Sequence, residues 1–141
     1  MAVKREIGLA IIGCGTIGRI RALLARDYPG IGWLGLCDVS REIGERLEAD
    51  ARADLFTTDM DELLDRPEVG AVIVATDENS HGAPVLGAVR RGHDLFIEKP
   101  IATDARESLR LLREIEGAGV DAVLGYTQRF RRRFLAVKER L

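Results

Sequence analysis

Apolar residues in this chain come as short unbroken runs separated by longer stretches of helical spacing. The run at 7–12 stops at Gly13 and predicts a buried strand. Residues 16–26 follow with Ile17, Ile20 and Leu24 at helical spacing, until Tyr28-Pro29-Gly30 breaks the pattern. A second run at 33–37 is closed by Asp38, and Ser40 can cap a helix that has Ile43, Leu47 and Ala51 on one face. A short strand at 55–57 and a short helix at 59–65 precede Pro67. The run at 69–75 is the clearest strand of all. Residues 80–91 read as a helix with Val85, Leu86 and Val89 inward and Gly92 just past its end. A strand at 94–99 leads to a helix at 104–118 with Ala105, Leu109, Leu112 and Ile115 inward, where Asp104 and Glu107 have capping-box spacing. A sixth strand at 121–126 and a final helix at 130–141 complete the pattern.

Strands alternating with helices imply right-handed crossovers and a parallel sheet covered on both faces. About six strands in this rhythm predict an α/β, doubly wound Rossmann sheet in the order 3-2-1-4-5-6. Residues 1–126 are expected to form the domain, with 127–141 a C-terminal helix leading into a substrate domain absent from this sequence.

Composition narrows the choice. With 141 residues and 46% hydrophobic content, one ordinary core can be filled. The net charge of −2 does not advertise nucleic-acid binding, but it is unevenly spread. Residues 129–141 carry Arg129, Arg131, Arg132, Arg133, Lys138 and Arg140 against Glu139, a net of +5, so the rest of the chain carries −7. That tail is expected to be a helix whose charges are solvated or contact the absent domain; the functional alternative, an anionic surface or nucleic acid, is disfavoured by the acidic body. Two cysteines, Cys14 and Cys37, suit a reducing cytoplasmic compartment, and both read as small side chains that fit their surroundings. His81 and His93 have no partner at a ligand interval, so no metal is expected. No apolar run approaches the ~20 residues of a membrane helix. Lys4-Arg5 ahead of 7–14 has the outline of a lipoprotein leader, but a strand running into a glycine loop accounts for the same residues better.

Gly13-Cys14-Gly15-Thr16-Ile17-Gly18 is a G-x-G-x-x-G motif placed between an expected strand and an expected helix, the context it requires. Gly13 allows the tight turn, Gly15 lets backbone approach a pyrophosphate, and Gly18 lets the helix pack closely on the strand. The amides of Thr16 and Ile17, at the positive end of the helix, are the expected phosphate donors. Asp38, 20 residues after Gly18, stands where a carboxylate can accept the adenine ribose hydroxyls and repel a 2′-phosphate. The expected cofactor is therefore NAD rather than NADP, although Arg41 nearby could tolerate the phosphate.

Three further signatures follow in order: Ala75-Thr76-Asp77-Glu78-Asn79-Ser80-His81, Glu98-Lys99-Pro100, and Gly125-Tyr126-Thr127-Gln128-Arg129-Phe130. With the glycine loop, these make the whole chain resemble the Gfo/Idh/MocA oxidoreductases, the family of glucose-fructose oxidoreductase and inositol dehydrogenase. The resemblance implies NAD(P)-dependent hydride transfer on a sugar, cyclitol or related hydroxyl. It implies that Lys99 orients and polarises the carbinol oxygen, that Thr76 and Glu98 sit by the cofactor, and that His81 opens the next helix as a structural residue near it. Pro100 biases Lys99 toward extended backbone at the carboxyl end of a strand, where ligands of such sheets lie. The chain departs from the family where Asp77-Glu78 replace the usual Pro-Asn, placing two carboxylates near the dinucleotide phosphates. Thr127-Gln128 in place of Asn-Arg is a milder departure.

The family's general acid/base comes from a second domain, and no residue after 128 is His or Asp. The chain alone is therefore expected to bind cofactor with little or no turnover. Apolar surface bared near the last strand and helix is expected to favour homo-oligomerisation. Two alternatives remain at this level. One is a stand-alone NAD-sensing module without catalysis, which would have no use for Lys99. The other is a degenerate domain that has lost its cofactor.

Overall fold

The computed structural model describes residues 6–140; Lys4, Arg5 and Leu141 lie outside them. The elements are β1 (Ile7–Ile12), α1 (Thr16–Arg26), β2 (Ile31–Cys37), α2 (Arg41–Ala51), β3 (Leu55–Thr57), α3 (Met60–Leu64), β4 (Val69–Val74), α4 (Gly82–Arg90), β5 (Asp94–Glu98), α5 (Ala105–Ala118) and β6 (Ala122–Gly125), then a 3-10 turn (Thr127–Phe130) and α6 (Arg132–Lys138). Every strand pair is parallel, and the order is β3-β2-β1-β4-β5-β6. This is the expected doubly wound sheet, whose order reverses between β1 and β4.

Two cores flank it. On one face Leu9, Ile11, Leu34 and Leu36 meet Ala22, Ala25, Leu47 and Ala51 of α1 and α2. On the other, Ala10, Ile12, Val72, Val74, Leu95 and Ile97 meet residues of α3, α4 and α5. Alternation along each central strand sends successive side chains to opposite cores, so both must be apolar.

The helix faces differ in part from the expected ones. In α1 the residues turned inward are Gly18, Ala22 and Ala25, while Ile17, Ile20 and Leu24 are exposed. Small residues let α1 lie close to the sheet, and the larger apolar ones cannot fit beneath it. In α5 Leu111 and Ile115 are buried, whereas Leu109, Leu112 and Ala105 face outward. The two stripes are adjacent on the helix and equally periodic; contact with the core chooses between them. Val85 and Val89 of α4 are buried as expected, with Leu86 partly so, and Ile43 of α2 is exposed.

Ser40 and Asp104 cap their helices by accepting the amides of Ile43 and Arg106. Glu107, expected to complete a capping box, pairs instead with Arg110. The single final helix is interrupted: Arg131 is extended (φ −73°, ψ 133°) between the 3-10 turn and α6. No residue of α6 is buried, so no core contact offsets the crowding of Arg129, Arg131, Arg132 and Arg133. Among the described residues no helix is long and apolar enough to cross a membrane.

Candidate functional site

The glycine loop runs from β1 into α1 at the point where the strand order reverses. Gly13 has φ +99°, and a Cβ there would lie 2.6 Å from the backbone of Ala75 and Thr76. A Cβ on Gly18 would fall 1.7 Å from the Gly13 carbonyl oxygen, so α1 can begin here only with glycine. Gly15 differs from both: a Cβ there would meet nothing within 4 Å. The space over Gly15 is open, and it adjoins the first turn of α1, which has no side-chain cap and no acidic residue. The amides of Thr16 and Ile17 are thus left for an anion, as a helix N-terminus favours.

Asp38 follows β2. Its Oδ2 accepts the Cys14 amide at 2.7 Å and its Oδ1 accepts the Ser40 amide at 2.8 Å. Two backbone donors fix the carboxylate, and each oxygen keeps acceptor capacity for a ligand hydroxyl. Arg41 pairs with Glu45 one turn along α2. A cavity of about 370 Å³ opens beside this carboxylate, lined by Gly13, Gly15, Asp38, Thr76 and Asp77, with Met60 and Pro84 among its apolar walls. Sequence reasoning missed Met60 and Pro84: both come from segments whose only local signal was helical, and the sheet brings them to its carboxyl edge.

Thr76 donates its hydroxyl to the Asp77 carbonyl. The Asp77 carboxylate accepts the Asn79 amide at 3.1 Å, and the Ser80 hydroxyl beside it holds its carboxyl below the usual carboxylate range. Of the two carboxylates expected there, Asp77 therefore stands ionised at the cavity wall, whereas Glu78 lines a separate hollow with Asn79 and Asp104. His81 is 1% exposed; its Nδ1 lies 2.8 Å from the Pro100 carbonyl and its Nε2 lies 3.3 Å from that of Thr76. With its N–H donated to the nearer carbonyl, that of Pro100, the buried ring ties the loop after β4 to the loop after β5.

Glu98 ends β5, 9% exposed, and receives Arg21 of α1, whose Nε reaches Oε1 at 2.8 Å. Arg21 carried no sequence signal, because its partner is 77 positions away. Lys99 comes next, exposed, with no ion pair among the described residues, and its peptide to Pro100 is cis. Cys14 and Cys37 are buried beside this assembly. Burial, and then the Asp38 charge, push their thiols up from 9.0 to about 12 and about 11.

The structure gathers Gly13, Gly15, Asp38 and Thr76 around one crevice, leaves Thr16, Ile17 and Gly18 in the first turn of α1 outside its lining, and sets Glu98 and Lys99 at the carboxyl end of the next strand but one from β1. Known proteins share this fold. The family model described as "Oxidoreductase family, NAD-binding Rossmann fold", that of Gfo/Idh/MocA, matches residues 7–126. The chain is 25% identical over 140 residues to a scyllo-inositol 2-dehydrogenase (NAD(+)) of Bacillus subtilis, covering 99% of this chain and 41% of that protein. It is 31% identical over 128 residues to a 2,7-anhydro-N-acetylneuraminate hydratase of Mediterraneibacter gnavus, covering 89% of this chain and 33% of that one. Among solved structures, a probable dehydrogenase from Thermotoga maritima superposes with a TM-score of 0.87 at 27% identity, covering 94% of this chain and 40% of the other. The chain therefore spans about a third to two-fifths of the length of these relatives.

Proposed function

The chain belongs to the Gfo/Idh/MocA oxidoreductase family, and from that premise we propose that its crevice holds NAD in preference to NADP, for hydride transfer on a hydroxyl of a sugar, cyclitol or related substrate. The observation that carries this reading is the uncapped start of α1 beside the clear space over Gly15, with Asp38 fixed across it. A pyrophosphate fits where that Cβ is missing, held by the amides of Thr16 and Ile17. The free lone pairs of Asp38 accept the adenine ribose hydroxyls, and its charge repels a 2′-phosphate.

Bound NAD would supply the hydride acceptor. The chain's own residues do the rest of what can be assigned here. Thr76 lines the phosphate path. Glu98 stands by the nicotinamide ribose, while His81 supports the cofactor indirectly by holding two loops together. Lys99, its ammonium unpaired among the described residues, donates to the carbinol oxygen and orients it. Glu98 and Lys99 favour this reading over a sensing module without catalysis, because a sensor needs no ammonium at the strand end.

The 141 residues by themselves bind cofactor with little or no turnover, in keeping with the share of their relatives that they span. Val123, Tyr126, Phe130, Phe134, Leu135 and Val137 are exposed, and a second copy of the chain is the expected cover, which light scattering at rising concentration tests. Two free buried thiols accord with a cytoplasmic setting.

Titration calorimetry with NAD, NADP and both reduced forms tests the central reading. Binding of NAD below millimolar concentration, tighter than NADP, is expected. No heat with any dinucleotide would reduce the molecule to a fold without its ligand. A turnover assay on polyols and cyclitols accompanies it, and activity typical of a complete enzyme would overturn the statement on turnover.

A further inference from the structure

Glu98 has a partner, Arg21, that the cofactor reading leaves without a role. Arg21 belongs to α1, over the β1 and β2 half of the sheet, yet its side chain ends on β5. Its Nε and Nη2 both donate to Glu98 Oε1, at 2.8 and 2.5 Å. Its guanidinium carbon lies 4.9 Å from the centre of the Phe96 ring. Phe96 and Glu98 are two residues apart on β5 and so share the face turned away from α4 and α5. Across from Glu98 in the ladder is Gly125, where a Cβ would come 2.9 Å from Glu98 Oε2 and 3.1 Å from the Phe96 ring. A mostly buried ion pair, an aromatic platform and a bare position opposite it therefore meet at the strand end just before Lys99.

We infer that Arg21 is a specificity-determining residue that cancels the Glu98 charge at the nicotinamide end of the crevice, so that oxidised and reduced cofactor bind in balance. The inference rests on the cofactor reading above. With the adenosine half held by Asp38 at the end of β2, the other half of a dinucleotide must extend over the ends of β4 and β5. The oxidised ring carries one positive charge and the reduced ring none. A lone carboxylate nearby favours the oxidised form, a lone guanidinium favours the reduced form, and the pair favours neither. Loss of packing alone weakens both forms together and leaves their ratio unchanged.

The test measures Kd for NAD+ and NADH at neutral pH in the wild type, Arg21→Met, Arg21→Lys, Glu98→Gln and the double variant Arg21→Met/Glu98→Gln. The ratio Kd(NADH)/Kd(NAD+) is expected to rise about tenfold in Arg21→Met and fall about tenfold in Glu98→Gln, the scale of one charge ~10 Å away at an effective dielectric of about 20. It returns to within about threefold of wild type in the double variant and in Arg21→Lys, where charge is again balanced. Should Arg21→Met fail to fold, the Glu98→Gln shift decides alone. Single variants that weaken both cofactors equally overturn the inference and leave the cofactor reading standing. A wild type that binds neither cofactor overturns both.

Discussion

The Asp38 carboxylate accepts the Cys14 amide at 2.7 Å and so fastens the end of β2 to the loop that leaves β1. The group expected to read the ribose is also part of the frame of the site. Its replacement therefore acts twice, on the fold and on the ligand.

Asp38→Ala is expected to weaken NAD binding by about tenfold or more through loss of charge-assisted bonds. NADP binding should hold steady or improve, because the repulsion of its 2′-phosphate is gone. Stability should fall by about 1–2 kcal/mol, since two backbone amides lose their acceptor. Calorimetry with both cofactors and urea unfolding check this; a parallel loss for NAD and NADP would leave Asp38 a merely structural role.

Two glycines of the same loop should respond in opposite ways. Gly15→Ala adds a methyl where nothing lies within 4 Å, so stability should stay within about 0.5 kcal/mol while NAD binding is lost. Gly18→Ala places its methyl 1.7 Å from the Gly13 carbonyl oxygen, and backbone must move to admit it. A loss of about 3 kcal/mol is expected there. Equal destabilisation of the two variants would contradict the idea that Gly15 is reserved for a ligand.

Asp77 gives the reverse case, a residue whose removal should help. Its carboxylate stays ionised at the cavity wall because the Ser80 hydroxyl and the Asn79 amide favour the charged form. Asp77→Asn should tighten NAD binding by about two- to fivefold at low salt, with the gain shrinking as salt screens the charge. An unchanged affinity at low ionic strength would show that Asp77 does not face the phosphates.

The two thiols predict an alkaline limit to stability. Their folded values, about 12 for Cys14 and about 11 for Cys37, lie above the ordinary 9.0. The fold thus binds these protons more tightly than the unfolded chain does. The resulting stability is complete below about pH 9 and is lost as pH rises through the folded values. Cys14→Ser and Cys37→Ser should flatten that decline in urea unfolding. At about pH 8 alkylation of either thiol should be slow until the protein unfolds, because thiolate is the reactive form. Rapid labelling of the native protein would argue against the burial of these groups.

Much of the candidate site was legible locally. Gly13, Gly15, Gly18 and Asp38 answer to demands of backbone and charge that neighbouring residues impose, so spacing alone exposed them. The motif at Glu98-Lys99-Pro100 could be placed at a strand end for the same reason. The cis peptide before Pro100 and the break at Arg131 could not, since neither has a distinct local pattern.

Local pattern along the chain was enough for the alternation of strands and helices, the doubly wound order and the glycine elbow with its acid, because periodicity of 2 or 3.6 and the needs of a tight turn act within a few residues. Tertiary structure alone decided which of two adjacent stripes on α1 and α5 faces the core, since both satisfy the period and only packing distinguishes them. It also decided that Arg21 spends its charge on Glu98 rather than on solvent. That pairing depends on sheet order and on a bare Gly125 in the neighbouring strand, which no window along the chain contains.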